Sequence, residues 1–148
     1  MNSYERWKHF MTHFFPTFLG GFFLACFSAS LAVVLAAAAY LNHNPDRANY
    51  TLVSLMVLAL VISGSHMLLV RGRAWSLWPI LAVMLVAMLV SLSTYSHHIH
   101  AGVFTFALLF PLLGFLLFNS KRHRELRSFL VDLRKVRFEE AQQSKARR

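Results

Sequence analysis

The eight histidines of this chain are the residues best suited to acid–base or ligand chemistry. A histidine exchanges its proton near neutral pH and binds metals through the neutral imidazole. His66 lies deepest in an apolar segment, beside Ser63 and Ser65. Adjacent serine and histidine side chains diverge on a helix, and no acidic residue completes a triad, so the pattern does not predict nucleophilic catalysis. We interpret His66 as a hydrogen-bonded contact between helices, with the wall of a small polar cavity as the alternative.

Two pairs of histidines could bind haem if the apolar segments form a bundle. His13 with His66, and His43 with one of the three histidines near residue 100, would supply axial ligands at two levels. Haem-ligating histidines normally lie well inside their helices, whereas most of these lie at segment ends. We therefore expect no cofactor and keep a bis-histidine haem-binding electron-transfer subunit as an alternative.

His97, His98 and His100 form the densest group of histidines. They could act as an outer-side metal site or as a pH sensor, because histidine titrates in the physiological range. Three histidines without a carboxylate are a weak metal signature, however. We interpret the group as a hydrated turn between two helices and expect no bound metal.

The composition is that of an integral membrane protein. Apolar residues make up 57% of the 148 and charged residues 14%, whereas soluble domains have about 25% charged residues. The one cysteine, Cys26, excludes an internal disulfide. An apolar helix of about 20 residues crosses the roughly 30 Å core of a bilayer. The apolar runs predict an all-α fold, a four-span transmembrane helical bundle, with spans at about 16–41, 50–70, 75–96 and 99–118.

None of the predicted spans contains Asp, Glu, Lys or Arg. Carriers coupled to protons or ions usually hold an ionisable group at membrane depth. Membrane hydrolases need carboxylates or a paired nucleophile and base, which also have no counterpart here. The pattern therefore disfavours an enzyme. A small channel or carrier remains an alternative, lined by the intramembrane polar residues Ser63, His66, Ser91 and Thr94.

The basic residues predict how the chain is threaded. Two of the 15 Lys and Arg residues precede the first span, two lie in the second loop and ten follow the fourth span. Only Arg47 lies in another loop. Short basic loops stay in the cytoplasm. We therefore predict a multi-pass protein of the inner (plasma) membrane with an even number of spans and both termini cytoplasmic.

Two segments outside the spans have the spacing of amphipathic helices. Residues 1–14 are predicted to form an interfacial helix, with aromatic residues on one side and basic residues on the other. Residues 119–148 are predicted to form a basic cytoplasmic tail whose apolar residues recur every three or four positions. These are the predicted partner-binding residues: Leu126, Phe129, Leu130, Leu133 and Val136.

Small residues form a stripe along the first span, at a spacing that lets helix backbones approach closely. The predicted helix-packing residues are Gly21, Ala25, Ala29, Ala32 and Ala36. With the tail and the lack of catalytic residues, this stripe favours a non-enzymatic, oligomeric membrane anchor or assembly subunit. Such a subunit would serve a larger membrane complex or a membrane-sensing defence system. Expected partners are anionic lipid headgroups, further copies of the chain and a cytoplasmic protein. Nucleic acid is not expected, because the tail lacks interleaved aromatic residues.

Overall fold

The computed structural model describes residues 14–95 and 100–146, together with Lys8 and Thr12. Within these residues the chain is helical and has no strand, which confirms the all-α prediction. The interfacial helix predicted for residues 1–14 lies almost entirely outside the described residues. The described α-helices are α1 (Phe15–Tyr40), α2 (Arg47–Val70), α3 (Leu77–Ser93), α4 (Ala101–Asn119) and α5 (Lys121–Ala146).

Three of these helices, α1, α2 and α4, are long and apolar enough to cross a membrane. Helix α3 is also apolar but has only 17 residues, which corresponds to a length of about 26 Å. It is preceded by a 3₁₀ turn at Ala74–Ser76. Its end is marked by Ser93 and Thr94, whose hydroxyl groups donate to the carbonyls of Val90 and Ser91. The four-span count therefore stays a prediction, and α3 is the helix on which it depends.

Helices α1 and α3 form the centre of the bundle. Each of them packs against the other and against both α2 and α4. The Tyr40 hydroxyl at the end of α1 donates a 3.0 Å hydrogen bond to the Ser93 carbonyl at the end of α3, so these two helices run parallel. We call the end of the bundle where α1 begins and α2 ends the basic end, since Arg71 and Arg73 lie there. The opposite end, which includes Tyr40 and Ser93, is called the far end.

The core of the bundle is made by small residues of α1 and large residues of its neighbours. Ala25 and Ala29 are buried against Ile62, Ile80 and Met84. The small side chains let the neighbouring helices approach α1 closely, as in other membrane helix pairs. This close packing fixes the positions of both ends of the bundle.

Candidate functional site

Helix α5 turns away from α4 and packs across the basic end of the bundle. The change of direction is made by Ser120, whose backbone is extended (φ −64°, ψ 152°) between the two helices. The Ser120 hydroxyl accepts a 3.3 Å hydrogen bond from the backbone N–H of His123. Ser120 is thus the N-cap of α5, and it satisfies one of the amide groups left free in the first turn of a helix.

The apolar face of α5 is covered by the rest of the chain. Leu126 and Leu130 are 0% and 3% exposed, and they pack against Phe14 at the start of α1 and Leu69 near the end of α2. Burial of a leucine side chain contributes about 1.5–3 kcal/mol. The two leucines therefore contribute several kcal/mol to holding α5 on the bundle.

Gly72 brings the end of α2 into direct contact with α5. The amides of Gly72 and Arg73 donate to the carbonyls of Leu69 and Leu68, which is the hydrogen-bond pattern of a Schellman motif. Gly72 has φ +75°, a conformation that costs little only for glycine. A Cβ at this position would lie 2.6 Å from the carbonyl oxygen of Leu130. Only glycine therefore fits both the turn and the contact.

His66 lies beneath α5 and is 4% exposed. Its Nδ1 is 2.9 Å from the carbonyl oxygen of Ile62, which is a hydrogen-bond acceptor, so Nδ1 carries the proton of the neutral ring. The Nε2 lone pair then faces away from Ile62. The rings of Phe18 and Phe22 meet the imidazole edge-on, with centroids 5.4 and 5.1 Å away. Two aromatic rings of α1 therefore pack directly against the imidazole.

His123 and Arg127 complete a cluster of buried nitrogen atoms with His66. His123 is 1% exposed and meets the ring of Phe118 at a centroid distance of 4.8 Å. Burial lowers the pKa of His123 to about 4, and electrostatic interaction with Arg127 and then with His66 contributes to the shift. Both histidines are therefore part of one electrostatic environment at the basic end, shared between α2 and α5.

Three nitrogen atoms of this cluster have no hydrogen-bond partner among the described residues: His66 Nε2, His123 Nδ1 and Arg127 Nε. Arg127 Nε is always a donor, whereas the imidazole nitrogens change role with protonation. Because burial lowers the pKa of His123, this side chain takes up a proton more readily when α5 moves away. The charge of Arg127 opposes a metal cation. Among the described residues, no group of three or more His, Cys, Asp or Glu could hold a metal ion.

The stripe of small residues on α1 is divided between two environments. Gly21 and Ala25 are buried inside the bundle, and the nearest atoms to a Cβ on Gly21 belong to Phe118, 3.0 Å away. Ala29, Ala32 and the half-buried Ala36 lie farther along α1 and line a groove at the far end. The stripe is therefore buried from Gly21 to Ala32, and its last three residues also form part of the groove wall.

The four polar residues of the predicted spans do not come together. Ser63 is exposed on the outside of α2, whereas His66 is buried at the basic end. Ser91 and Thr94 are buried near the far end of α3, and their hydroxyls donate to carbonyls of their own helix. The 17 residues of α3 separate the basic end from the far end by about 26 Å. The structure gives no shared polar lining to these residues.

The predicted partner-binding stripe of α5 is partly occupied by the chain itself. Leu126 and Leu130 are buried, while Phe129, Leu133 and Val136 are half-buried. Phe129 also packs against Phe14, with ring centroids 5.4 Å apart. The apolar side of α5 therefore faces the bundle, and its basic side faces outward.

The remaining histidines lie away from this cluster or outside the described residues. His43 and His100 are exposed at the far end. His13, His97 and His98 lie outside the described residues, and with them most of the predicted metal and haem alternatives.

Sequence reasoning missed the partnership of His123 and Arg127 with His66. His123 precedes Leu126 by three residues and Leu130 by seven, so it lies on the apolar face of α5. That spacing was the available signal. It predicts burial of His123, but it does not identify the helix that covers it. Arg127 borders the same face and carries no comparable signal.

We compared the chain with protein-family models, with curated proteins and with solved structures, and none of the three comparisons gave a match.

Proposed function

We propose that this chain is a non-enzymatic membrane anchor or assembly subunit that crosses the inner membrane four times and has both termini in the cytoplasm. Its C-terminal helix α5 would present a basic surface to anionic lipid headgroups and to an acidic cytoplasmic partner. The supporting observation is the docking of α5 across the basic end through Leu126 and Leu130.

The proposed fourth span is α3. It packs against α1, α2 and α4, so it occupies the same depth as three helices that are long enough to cross a membrane. Trp75 and Trp78 are exposed at its beginning, where tryptophan is enriched at membrane interfaces. The 3₁₀ turn lengthens this segment beyond the 17 helical residues. These features support a short span that is completed by interfacial tryptophans.

The charges of α5 support an anionic binding surface. Residues 121–146 contain eight Lys or Arg and four Asp or Glu, which gives a net charge of +4. Because α5 packs on the first turn of α1 and the last turns of α2, it lies at the depth of the headgroups in the proposed topology. Each basic residue near an anionic membrane surface contributes about 1 kcal/mol of attraction. Lipid phosphates are therefore the first partners we expect, and an acidic protein surface would meet the same charges.

The proposal is tested by measuring lipid binding to charge variants of α5. Arg122 and Arg124 are exposed, so their replacement leaves the apolar contact intact. We expect Arg122→Glu with Arg124→Glu to weaken the binding of phosphatidylglycerol, relative to that of phosphatidylcholine, about tenfold or more. Binding is measured by native mass spectrometry of the detergent-solubilised protein. Arg122→Lys with Arg124→Lys is the matched control, because it keeps both charges. Equal phosphatidylglycerol binding by all three proteins would contradict the lipid part of the proposal.

The assembly role has a separate measurement. The mass of the protein in mild detergent, determined by light scattering, is expected to exceed the 16.9 kDa of one chain after subtraction of detergent. If the protein purified directly from native membranes is a single chain with no bound protein, a stable assembly is ruled out and only the role of a lipid-binding anchor remains.

A further inference from the structure

A groove runs along the far-end half of the bundle, between α1, α2 and α3. It has a volume of about 470 Å³, within the range of small-molecule sites in proteins. Alanine and valine side chains form most of its wall, including Ala32, Ala36 and Val86. Its polar residues are concentrated toward the far end, where Tyr40 is fastened to Ser93 of α3. The groove therefore has an apolar body and a polar mouth.

The dimensions of the groove match a hydrocarbon chain better than a helix. Its wall on α1 extends from Ala29 to Leu41, which is about 18 Å of helix. One leaflet of the hydrocarbon core is about 15 Å thick. A volume of about 470 Å³ over that length gives a mean cross-section of roughly 26 Å². An α-helix at least 10 Å across has a cross-section near 80 Å², so a helix from a second copy can place only side chains in the groove.

A basic residue lies beside the mouth of the groove. Arg47 lines a second depression that shares Ala37 and Thr51 with the groove, and it lies one helical turn before Thr51 on the same face of α2. Its Nη1 donates a 3.3 Å hydrogen bond to the Asn42 side chain, which leaves further guanidinium N–H groups as donors. The neighbouring Asp46 carboxylate offsets part of the charge, so binding here is expected to depend on direct contact with a phosphate rather than on long-range attraction.

We propose that this groove binds one acyl chain of an outer-leaflet phospholipid whose phosphate is held by Arg47. Binding of a chain between three helices buries the wall residues that helix packing leaves exposed, such as Ala82 and Val86. The bound lipid then contributes to the contact between α2 and the α1–α3 pair. This inference rests on the proposed membrane placement of α1, α2 and α3, and on the proposed topology for the choice of leaflet.

The test uses phosphatidylglycerol with a photoactivatable diazirine in one acyl chain, reconstituted with the full-length protein in phosphatidylcholine vesicles. We expect labelling at Val33 and Val86 in the groove to exceed labelling at Leu60 and Leu89, which are exposed on the bundle surface outside it, by at least fivefold. Labelled residues are identified by peptide mass spectrometry. Equal labelling of all four residues would overturn the proposal, because equal labelling is the result expected when lipid contacts the whole bundle surface without a specific site.

Matched variants show whether the groove itself is responsible. Ala36→Leu fills the groove and is expected to abolish the excess labelling, whereas Ala38→Leu, two residues away on the exposed side of α1, leaves it unchanged. Ala82→Leu fills the groove from α3 and serves if Ala36→Leu does not fold. Arg47→Gln is expected to lower the excess labelling, because it removes the proposed phosphate contact and leaves the wall of the groove unchanged. If the excess labelling persists in both Ala36→Leu and Ala82→Leu, the groove is not the lipid site.

A second copy as the occupant gives a different result. In a Cys26→Ala background, a Val86→Cys variant would form disulfide-linked dimers if a second chain occupied the groove, and this would overturn the lipid assignment. The leaflet depends on which side of the membrane holds the termini, and this can be measured by labelling introduced cysteines with a membrane-impermeant reagent. If the termini lie outside and the excess labelling remains, the groove still binds lipid but in the other leaflet, and the proposed function is wrong.

Discussion

Gly72 shows how much the docking of α5 depends on a single residue. Two requirements coincide there: a positive φ that ends α2, and the absence of a side chain beside the Leu130 carbonyl. Each requirement alone favours glycine, but only the second involves α5. The sequence predicted a turn near Arg71 and Arg73, because a basic loop ends the apolar segment. It could not predict the contact with Leu130, which lies 58 residues later and is brought close only by the fold.

Replacement of Gly72 by alanine is expected to displace α5 from the bundle. The left-handed backbone costs a residue with a Cβ about 1–2 kcal/mol, and the overlap with the Leu130 carbonyl adds to that cost because backbone cannot move aside easily. We expect faster hydrogen–deuterium exchange in residues 121–133, measured by mass spectrometry. Gly64→Ala is the control, since Gly64 lies within α2 with open space around it and alanine is favoured there by about 1 kcal/mol. If exchange is equally slow in both variants, Gly72 does not control docking.

At the level of the helix, α5 shows what an amphipathic pattern predicts and what it leaves open. The spacing of Leu126, Leu130 and Leu133 predicts a helix with one apolar face. In the structure the three residues lie on α5, with Leu126 and Leu130 buried and Leu133 half-buried. The pattern does not say which surface covers the face, because periodicity contains no information about distant segments. The sequence interpretation favoured a partner or the membrane surface. In the structure, Phe14 and Leu69 of the same chain cover the first half of the face.

The same docking is expected to weaken in acid. The pKa of His123 is about 4 in the docked helix, against an ordinary value of 6.5 once α5 is exposed to water. The displaced helix therefore binds the proton more tightly, and docking loses stability as the pH falls from about 6.5 to about 4, by at most about 3 kcal/mol. His66 and Arg127 reinforce the effect, because both face the charge that forms. Above pH 6.5 the contribution is fully present.

This pH dependence is measured by hydrogen–deuterium exchange of residues 121–133 between pH 4 and 7.5, corrected for the intrinsic pH dependence of amide exchange. We expect protection to fall in acid for the natural chain and to change much less in His123→Leu, which fills the same apolar position without titrating. His43→Leu, in the exposed far-end loop, should behave like the natural chain. Acid-sensitive docking that survives unchanged in His123→Leu would show that another group is responsible.

For the molecule as a whole, the helical class is predictable because it follows from composition. The predicted number of spans follows from the apolar runs, and its even parity follows from the charge distribution. Uninterrupted apolar runs force a helical solution inside a membrane, since each backbone polar group must be satisfied within its own segment. The arrangement of the helices was less predictable. The stripe from Gly21 to Ala36 is predicted to pack against other helices, and the structure adds that Ala29, Ala32 and Ala36 also line the groove. A sequence pattern identifies a face that can approach another helix closely, but the neighbouring helices decide whether one does.

The threading of the chain is the property of the whole molecule on which the proposed function depends, and it can be measured directly. In a Cys26→Ala background, Asn44→Cys places a thiol in the exposed loop between α1 and α2, and Ser144→Cys places one near the end of α5. The excess of basic residues at one end predicts that Asn44→Cys reacts with a membrane-impermeant maleimide on intact cells, whereas Ser144→Cys reacts only after permeabilisation. Ser63→Cys, within α2, is the unreactive control. Reaction of Ser144→Cys on intact cells would place α5 outside. Its basic surface could then not meet the cytoplasmic partners that we propose for it.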